Sequence, residues 1–145
     1  MKTTRRNLIT AAPLLAVPAA AKTKQSGKEA HYSKAKPAST PIYSEAISYG
    51  NLVFVSGHGV NDVSGIKAQT TKVLDDIEAS LKAAGTSLKN ALKCNVYLAR
   101  LEDYKEMNEV YLGRFGEVPP TRTTLAVAGI PLAGCLVEIE VMAFR

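Results

Sequence analysis

Leu136-Val137-Glu138-Ile139-Glu140-Val141-Met142-Ala143-Phe144, near the end of a 145-residue chain, alternates apolar and polar side chains at a period of two from Val137 to Val141. That period marks a half-buried strand, with Val137, Ile139 and Val141 on one face and Glu138 and Glu140 on the other. Just upstream, Pro119-Pro120 bars a helix, and Thr121 to Ala128 reads as a second strand. Arg122 opens it, on the same side as Thr124, Ala126 and Ala128, all of them small.

Further back the period changes. Tyr104, Met107, Tyr111 and Phe115 recur at helical spacing and predict a helix ending at Gly116. Leu92, Cys94, Val96 and Leu98 alternate with Lys93, Asn95 and Tyr97 as a third strand. Val73, Ile77, Leu81 and Ala84 share one face of an earlier helix that stops at Gly85. Tyr43–Tyr49 and Leu52–Val55 flank Gly50-Asn51, a pair able to take the positive φ angles of a tight turn, and read as a hairpin. A short edge strand fits Ala30–Ser33. The order β-β-α-β-α-β-β, with an optional strand in front, predicts an α+β sandwich: one mixed sheet with both helices on one face. The other face is expected to carry Leu, Val and Ile side chains, and oligomerisation is the simplest cover for it.

Residues 1–21 read as an address. Thr4-Arg5-Arg6-Asn7-Leu8-Ile9 has the twin-arginine pattern, an apolar run follows from Leu8 to Val17, and Ala19-Ala20-Ala21 suits a signal peptidase. The run contains Pro13 and Pro18 and falls short of the ~20 residues that span a bilayer. The expectation is a bacterial protein exported to the periplasm or beyond, soluble once the signal peptide is removed. Residues 22–40, rich in Lys, Ser, Ala and Pro, read as a flexible lead-in, and 41–145 as the folded domain.

The composition, 46% hydrophobic and 21% charged, suits one globular core. The formal net charge of +5 owes much to Lys2, Arg5 and Arg6; the rest of the chain has 15 basic and 13 acidic residues. So small an excess argues against a nucleic-acid partner. His31 and His58 are the only histidines, Cys94 and Cys135 the only cysteines, and no HExxH, GxSxG or CxxC occurs. Metal, triad and disulfide-scaffold chemistries are therefore unsupported, and the cysteines read as buried thiols, with pairing in an oxidising periplasm as the alternative. What remains is Arg122, whose planar fork could bind a carboxylate with two parallel hydrogen bonds, and the Glu138/Glu140 pair. By pattern alone Arg122 could equally be a surface ion-pair partner, and the two glutamates solvated side chains.

Pro119-Pro120-Thr121-Arg122-Thr123-Thr124, then Pro131, then Val137-Glu138-Ile139-Glu140-Val141 together resemble the C-terminal signature of the Rid (RidA/YjgF) family. Pro41-Ile42-Tyr43-Ser44-Glu45-Ala46, Val55-Ser56-Gly57, Lys82-Ala83-Ala84-Gly85 and Met107-Asn108-Glu109-Val110-Tyr111 resemble other family segments in the same order. The resemblance implies a chorismate-mutase-like fold, assembled as a homotrimer with ligand pockets between subunits. It implies a 2-iminobutanoate/2-iminopropanoate deaminase-like hydrolase, which converts reactive imines, the tautomers of enamines, to 2-keto acids and ammonia without metal or cofactor. By the same resemblance Arg122 would hold the substrate carboxylate and Glu138 the attacking water, with Tyr43, Ser56, Gly57, Asn108 and Thr124 at the substrate. The alternative is a trimeric, non-catalytic module that binds small carboxylates or another protein; a nuclease is a distant third.

Departures from the family pattern are specific. His58 follows Ser56-Gly57 where glutamine is usual, and Thr124 stands where many deaminases have cysteine. The loop from Gly59 to Lys67 is short, and Pro131 to Glu138 is longer by one residue, which leaves Glu140 as the fallback for the water-holding acid. Export would also separate the protein from cytosolic pyridoxal-phosphate enzymes, the usual source of such imines.

Overall fold

A computed structural model describes residues 27–145; the expected signal peptide and the start of the lead-in lie outside the described residues. Six strands, β1 (Glu29–His31), β2 (Ala46–Tyr49), β3 (Leu52–Gly59), β4 (Ala91–Leu98), β5 (Thr121–Ala126) and β6 (Val137–Phe144), form one sheet in the order β1-β2-β3-β6-β4-β5. Only the β4–β5 pair is parallel. Helices α1 (Ile66–Ala83) and α2 (Tyr104–Tyr111) pack against each other on one face of the sheet. This is the expected α+β sandwich, with the edge strand at Glu29–His31 where Ala30–Ser33 was expected, one residue earlier at its start and two at its end.

The core is the layer between sheet and helices. Val53, Val55, Cys94, Val96, Leu98, Val137, Ile139 and Val141 are buried against Val73, Leu74, Ile77, Leu81 and Met107. The opposite face carries Phe54, Met142 and Phe144, each about two-fifths exposed at 41%, 40% and 41%. Leucines share that face, Leu52 at 39% and Leu125 at 52% exposure, so the apolar surface expected there is present, with aromatic and methionine side chains added.

Four local expectations are corrected. Helix α1 begins at Ile66, two turns before Val73. Its first turns bury Gln69 and Thr70, which no apolar period reveals. Gln69 Nε2 donates to the Val63 and Gly134 carbonyls while its Oε1 accepts from the Leu136 backbone N–H, so a polar side chain ties helix to sheet. At the other end Gly85 takes φ 82°, and the backbone N–H groups of Thr86 and Gly85 reach the Leu81 and Lys82 carbonyls in the closure that terminates helices. Helix α2 stops at Tyr111 rather than at Gly116, because Leu112 turns to ψ 130° and Gly113 to φ 78°. Phe115 still reaches the core, its ring centroid 4.6 Å from that of Tyr111. In β4 a register shift between Ala91 and Lys93 buries Ala91 and leaves Leu92 exposed, which breaks the simple alternation at that end. Strand β5 likewise ends at Ala126, two residues before Ala128.

Candidate active site

Two clusters emerge, one around Arg122 and one around Glu138. Parallel pairing of β5 with β4 sets Arg122 opposite Cys94, which points into the helix-side core, so Arg122 also faces the helices. Its guanidinium carbon sits 4.6 Å from the centroid of the Tyr111 ring and 5.9 Å from that of Tyr104, and Nη2 donates to the Tyr104 hydroxyl at 3.4 Å. Stacking on an aromatic face holds the guanidinium plane while its N–H edge stays available. Among the described residues no carboxylate lies within ion-pair distance of Arg122, so the ordinary surface-pair reading does not hold. The guanidinium opens on a cavity of about 560 Å³ lined also by Lys105, Asn108, Glu109 and Leu112.

Two hydroxyls around Arg122 are buried without a hydrogen-bond partner, Tyr111 Oη and Thr124 Oγ1. Buried polar atoms left without a hydrogen bond are costly and call for an explanation. Burial, then the neighbouring Cys94, pushes the Tyr111 hydroxyl's pKa far up, Arg122 only partly opposing it. Tyr111 and Cys94 thus interact, though without good hydrogen-bond geometry at the tyrosine oxygen. The Cys94 thiol is itself pushed up to about 11, chiefly by burial. Both groups are protonated at neutral pH.

Glu138 occupies the other face. It pairs with Gly59 of β3 and Tyr97 of β4, and between buried Val137 and Ile139 it points away from the helices. It lines a cavity of about 470 Å³ with Tyr43, Glu45, Ser56, Gly57, His58, Pro131 and Leu132. A β-bulge between Val55 and His58 takes Ser56 and Gly57 out of the ladder. Ser56 is anchored there by its hydroxyl, which donates to the Ser44 carbonyl at 2.7 Å, and by its N–H, which donates to the Glu45 carbonyl at 3.0 Å. A Cβ at Gly57 would overlap Glu138 Oε1, so a side chain there would displace that carboxylate from its place at the bulge. Glu140 is occupied elsewhere: its Oε1 accepts from Asn95 Nδ2 at 2.6 Å and from the Tyr97 hydroxyl at 3.0 Å.

The expected site residues therefore divide. Arg122, Asn108 and Thr124 belong to the cluster between α2 and β5; Tyr43, Ser56, Gly57 and Glu138 belong to the cluster at the β3 bulge. Neither cavity contains both Arg122 and Glu138. Sequence reasoning missed Tyr104 and Tyr111 as neighbours of Arg122, because both read as core positions of a helix face. It also missed Glu45, whose only signal was a charged residue among the hairpin's apolar ones.

The family model described as Endoribonuclease L-PSP matches residues 33–145. The chain belongs to that family, the Rid (YjgF/RutC) family. A RutC family protein of Pyrococcus horikoshii is 40% identical over 125 residues, covering 81% of this chain and 98% of that one. Reactive Intermediate Deaminase A, chloroplastic, of Arabidopsis thaliana is 37% identical over 123 residues, covering 80% of this chain and 65% of that one. Among solved structures, RidA from an Antarctic Psychrobacter species superposes with a TM-score of 0.71 at 37% identity, covering 80% of this chain and 98% of that one. The Rid family includes reactive intermediate deaminases, and the six-stranded sheet with two helices is its chorismate-mutase-like fold.

Proposed function

We propose that this Rid protein hydrolyses reactive 2-imino acids to 2-keto acids and ammonia, in pockets completed between the subunits of a homotrimer. The observation that carries this reading is Arg122: a guanidinium stacked on Tyr111 and unpaired by any described carboxylate. Such a group is suited to a ligand carboxylate, which it would grip with two charge-assisted hydrogen bonds. The separation of Arg122 from Glu138 favours a composite site, in which one subunit supplies the carboxylate clamp and its neighbour the acid. The exposed Phe54, Met142 and Phe144 face is the kind of surface that association would cover.

In the proposed reaction the imine carbon is already electrophilic, and orientation does most of the work. Glu138 takes a proton as the water oxygen bonds to that carbon and the C=N electron pair moves to nitrogen. The nitrogen receives protons, one of them from Glu138, the C–N bond breaks, and the oxygen loses its remaining proton to leave the keto acid and ammonia. No metal or cofactor enters this scheme. The near-balance of charge beyond residue 21 gives a ribonuclease reading little electrostatic support. Export through a twin-arginine signal at residues 1–21 belongs to the same proposal, and periplasmic recovery of a tagged full-length chain in a bacterial host would support it.

The test is ammonia release from a 2-imino acid generated in situ by an amino-acid oxidase. The purified chain should accelerate it and Arg122→Ala should not. A protein that instead gains thermal stability with 2-keto acids through Arg122 but never turns over imine would be a binding module, the second reading, which the separated clusters of the single chain equally allow.

A further inference from the structure

The cavity on which Arg122 opens is larger than the proposed chemistry needs. At about 560 Å³ it falls in the range of sites that hold drug-sized ligands, whereas the reacting part of a 2-imino acid is a carboxylate and one imine carbon. One wall is a stripe of α2 and its end, since Tyr104, Asn108 and Leu112 recur every four residues and all three line the cavity. Leu112 is where the helix breaks. Its N–H still donates to the Asn108 carbonyl at 3.0 Å, but its ψ of 130° turns the chain away, and Phe115 takes the core position beside Tyr111. Leu112 is left 83% exposed at the cavity, with the exposed Tyr104 ring on the same stripe. Two large apolar side chains in a concavity, next to an anion clamp, form surface that a ligand would cover.

The charges around this cavity restrict what the ligand carries. Glu109, at the rim, is bonded to Lys67 at 2.7 Å; Lys67 also interacts with Glu106, and Lys105 with Glu109. Two lysines and two glutamates balance, which leaves Arg122 as the uncompensated charge of the lining. One carboxylate satisfies it, and a second ionised group on the ligand would meet charges already matched. The imine carbon is trigonal and sends carboxylate, nitrogen and side chain apart in one plane. With the carboxylate fixed at Arg122 and water approaching from a face of that plane, the side chain runs away from the clamp along the wall.

We propose that the substrates of this site are 2-imino acids with large apolar side chains, which pack on Tyr104 and Leu112 while the carboxylate sits on Arg122. The proposal names the substrate class of the hydrolase reading above and rests on it. Covering apolar surface is worth roughly fourfold in affinity for each methylene. A leucine-derived imine has three more carbons than an alanine-derived one, and covering part of them against an open wall gives about tenfold. Leu112 is thereby a specificity-determining residue. An exposed leucine at a helix end contributes little to the core, so shortening it should leave the fold intact and its effect on substrate choice can be read by itself.

The test compares imines generated in situ from alanine, leucine, phenylalanine and glutamate by amino-acid oxidases, each rate taken above spontaneous hydrolysis. In the wild type kcat/KM should be roughly tenfold higher for the leucine and phenylalanine imines than for the alanine imine, and the glutamate imine should gain nothing from its second carboxylate. Leu112→Ala should keep the wild-type sedimentation and thermal midpoint and shrink that preference to roughly twofold. Binding without turnover is read from thermal shifts with 4-methyl-2-oxopentanoate, phenylpyruvate and pyruvate; the larger two should bind more tightly, and Leu112→Ala should remove the advantage. A preference for the glutamate imine, a preference for large imines that survives in Leu112→Ala, or a changed sedimentation that shows Leu112 to be covered by a neighbouring subunit overturns the proposal. If every imine is turned over alike, the hydrolase reading stands and the apolar subsite falls. If none is turned over while the larger keto acids still bind through Leu112, the hydrolase reading falls and the subsite stands.

Discussion

The Arg122 cluster and the Glu138 cluster are built by opposite means. Around Arg122 the holding is done by rings and burial: two tyrosines frame the guanidinium, and two buried hydroxyls, Tyr111 Oη and Thr124 Oγ1, lack a well-formed hydrogen bond. Around Glu138 it is done by hydrogen bonds, with Ser56 anchored through its hydroxyl, its N–H and its carbonyl. The first cluster presents a guanidinium with no carboxylate partner among the described residues, whereas the second is preorganised by hydrogen bonds around its acid. That contrast fits a division of labour in which Arg122 recognises and Glu138 reacts, and it can be broken at either end.

The largest effect is expected at Arg122. Arg122→Ala should lower kcat/KM for 2-imino acids by roughly 10³-fold or more, and Arg122→Lys, which restores charge but not the planar fork, should recover only part of it. Steady-state ammonia release checks both. Full recovery in the lysine variant would mean that charge rather than fork geometry does the recognising.

Gly57→Ala attacks the other cluster. The atom its Cβ would meet first is the end of the Glu138 side chain, at 2.2 Å, which can swing away without moving backbone. The variant should therefore fold, with a midpoint close to wild type, yet lose roughly 10²-fold in kcat because the acid is displaced. Equal losses of stability and activity would instead make Gly57 a packing residue.

How far the two clusters could be read from sequence follows the same contrast. The period of two in Val137–Val141 was enough to send Glu138 and Glu140 to one face, because each strand residue's direction is set by its neighbours. The Arg122 setting was not legible, because it depends on which strand β5 pairs with and in which direction, a long-range choice with no local signal. Tyr104 and Tyr111 carried the same helical spacing whether they served the core or framed an arginine. The end of α2 was misread for a related reason: Phe115 keeps its core contact after the helix has ended, so an apolar period survived a break made by Leu112 and Gly113. The bulge at Ala91–Leu92 and the buried Gln69 at the start of α1 are likewise paid in hydrogen bonds, which apolar patterning does not record.

A smaller effect concerns how dry the Arg122 side is. The Cys94 thiol is raised from 9.0 to about 11, mainly by burial. A group raised in the fold stabilises fully below its unfolded pKa and ceases to do so as pH climbs through the folded value. The chain should therefore lose roughly 2 to 3 kcal/mol of stability between about pH 9 and 11 on account of Cys94, and Cys94→Ala should remove that share of the slope. Tyr111 is shifted in the same direction and should leave a residual slope at higher pH. Urea midpoints measured across this range test it, and a slope unchanged by Cys94→Ala would argue that water reaches the thiol and that the cluster is open rather than desolvated.

The smallest effect is expected where a glutamate stands next in line on the same face but outside the Glu138 cavity. Glu140 already accepts two hydrogen bonds on one oxygen, from Asn95 and Tyr97, and faces Phe54, Lys93 and Met142 rather than the β3 bulge. Glutamine in its place keeps a carbonyl oxygen for both donors and removes only the charge. Glu140→Gln should change stability by less than about 1 kcal/mol and kcat/KM by no more than roughly twofold. It should also relax the Tyr97 hydroxyl, whose pKa is raised by burial and then by Glu140, toward its ordinary value. Glu138→Gln beside it supplies the contrast, since an amide cannot take the proton of an attacking water. If Glu140→Gln were the more damaging of the two, the extra residue between Pro131 and Glu138 would have shifted the water-holding role by one step along β6, and the division drawn here between a recognising and a reacting cluster would have to be redrawn around the Asn95–Tyr97–Glu140 group.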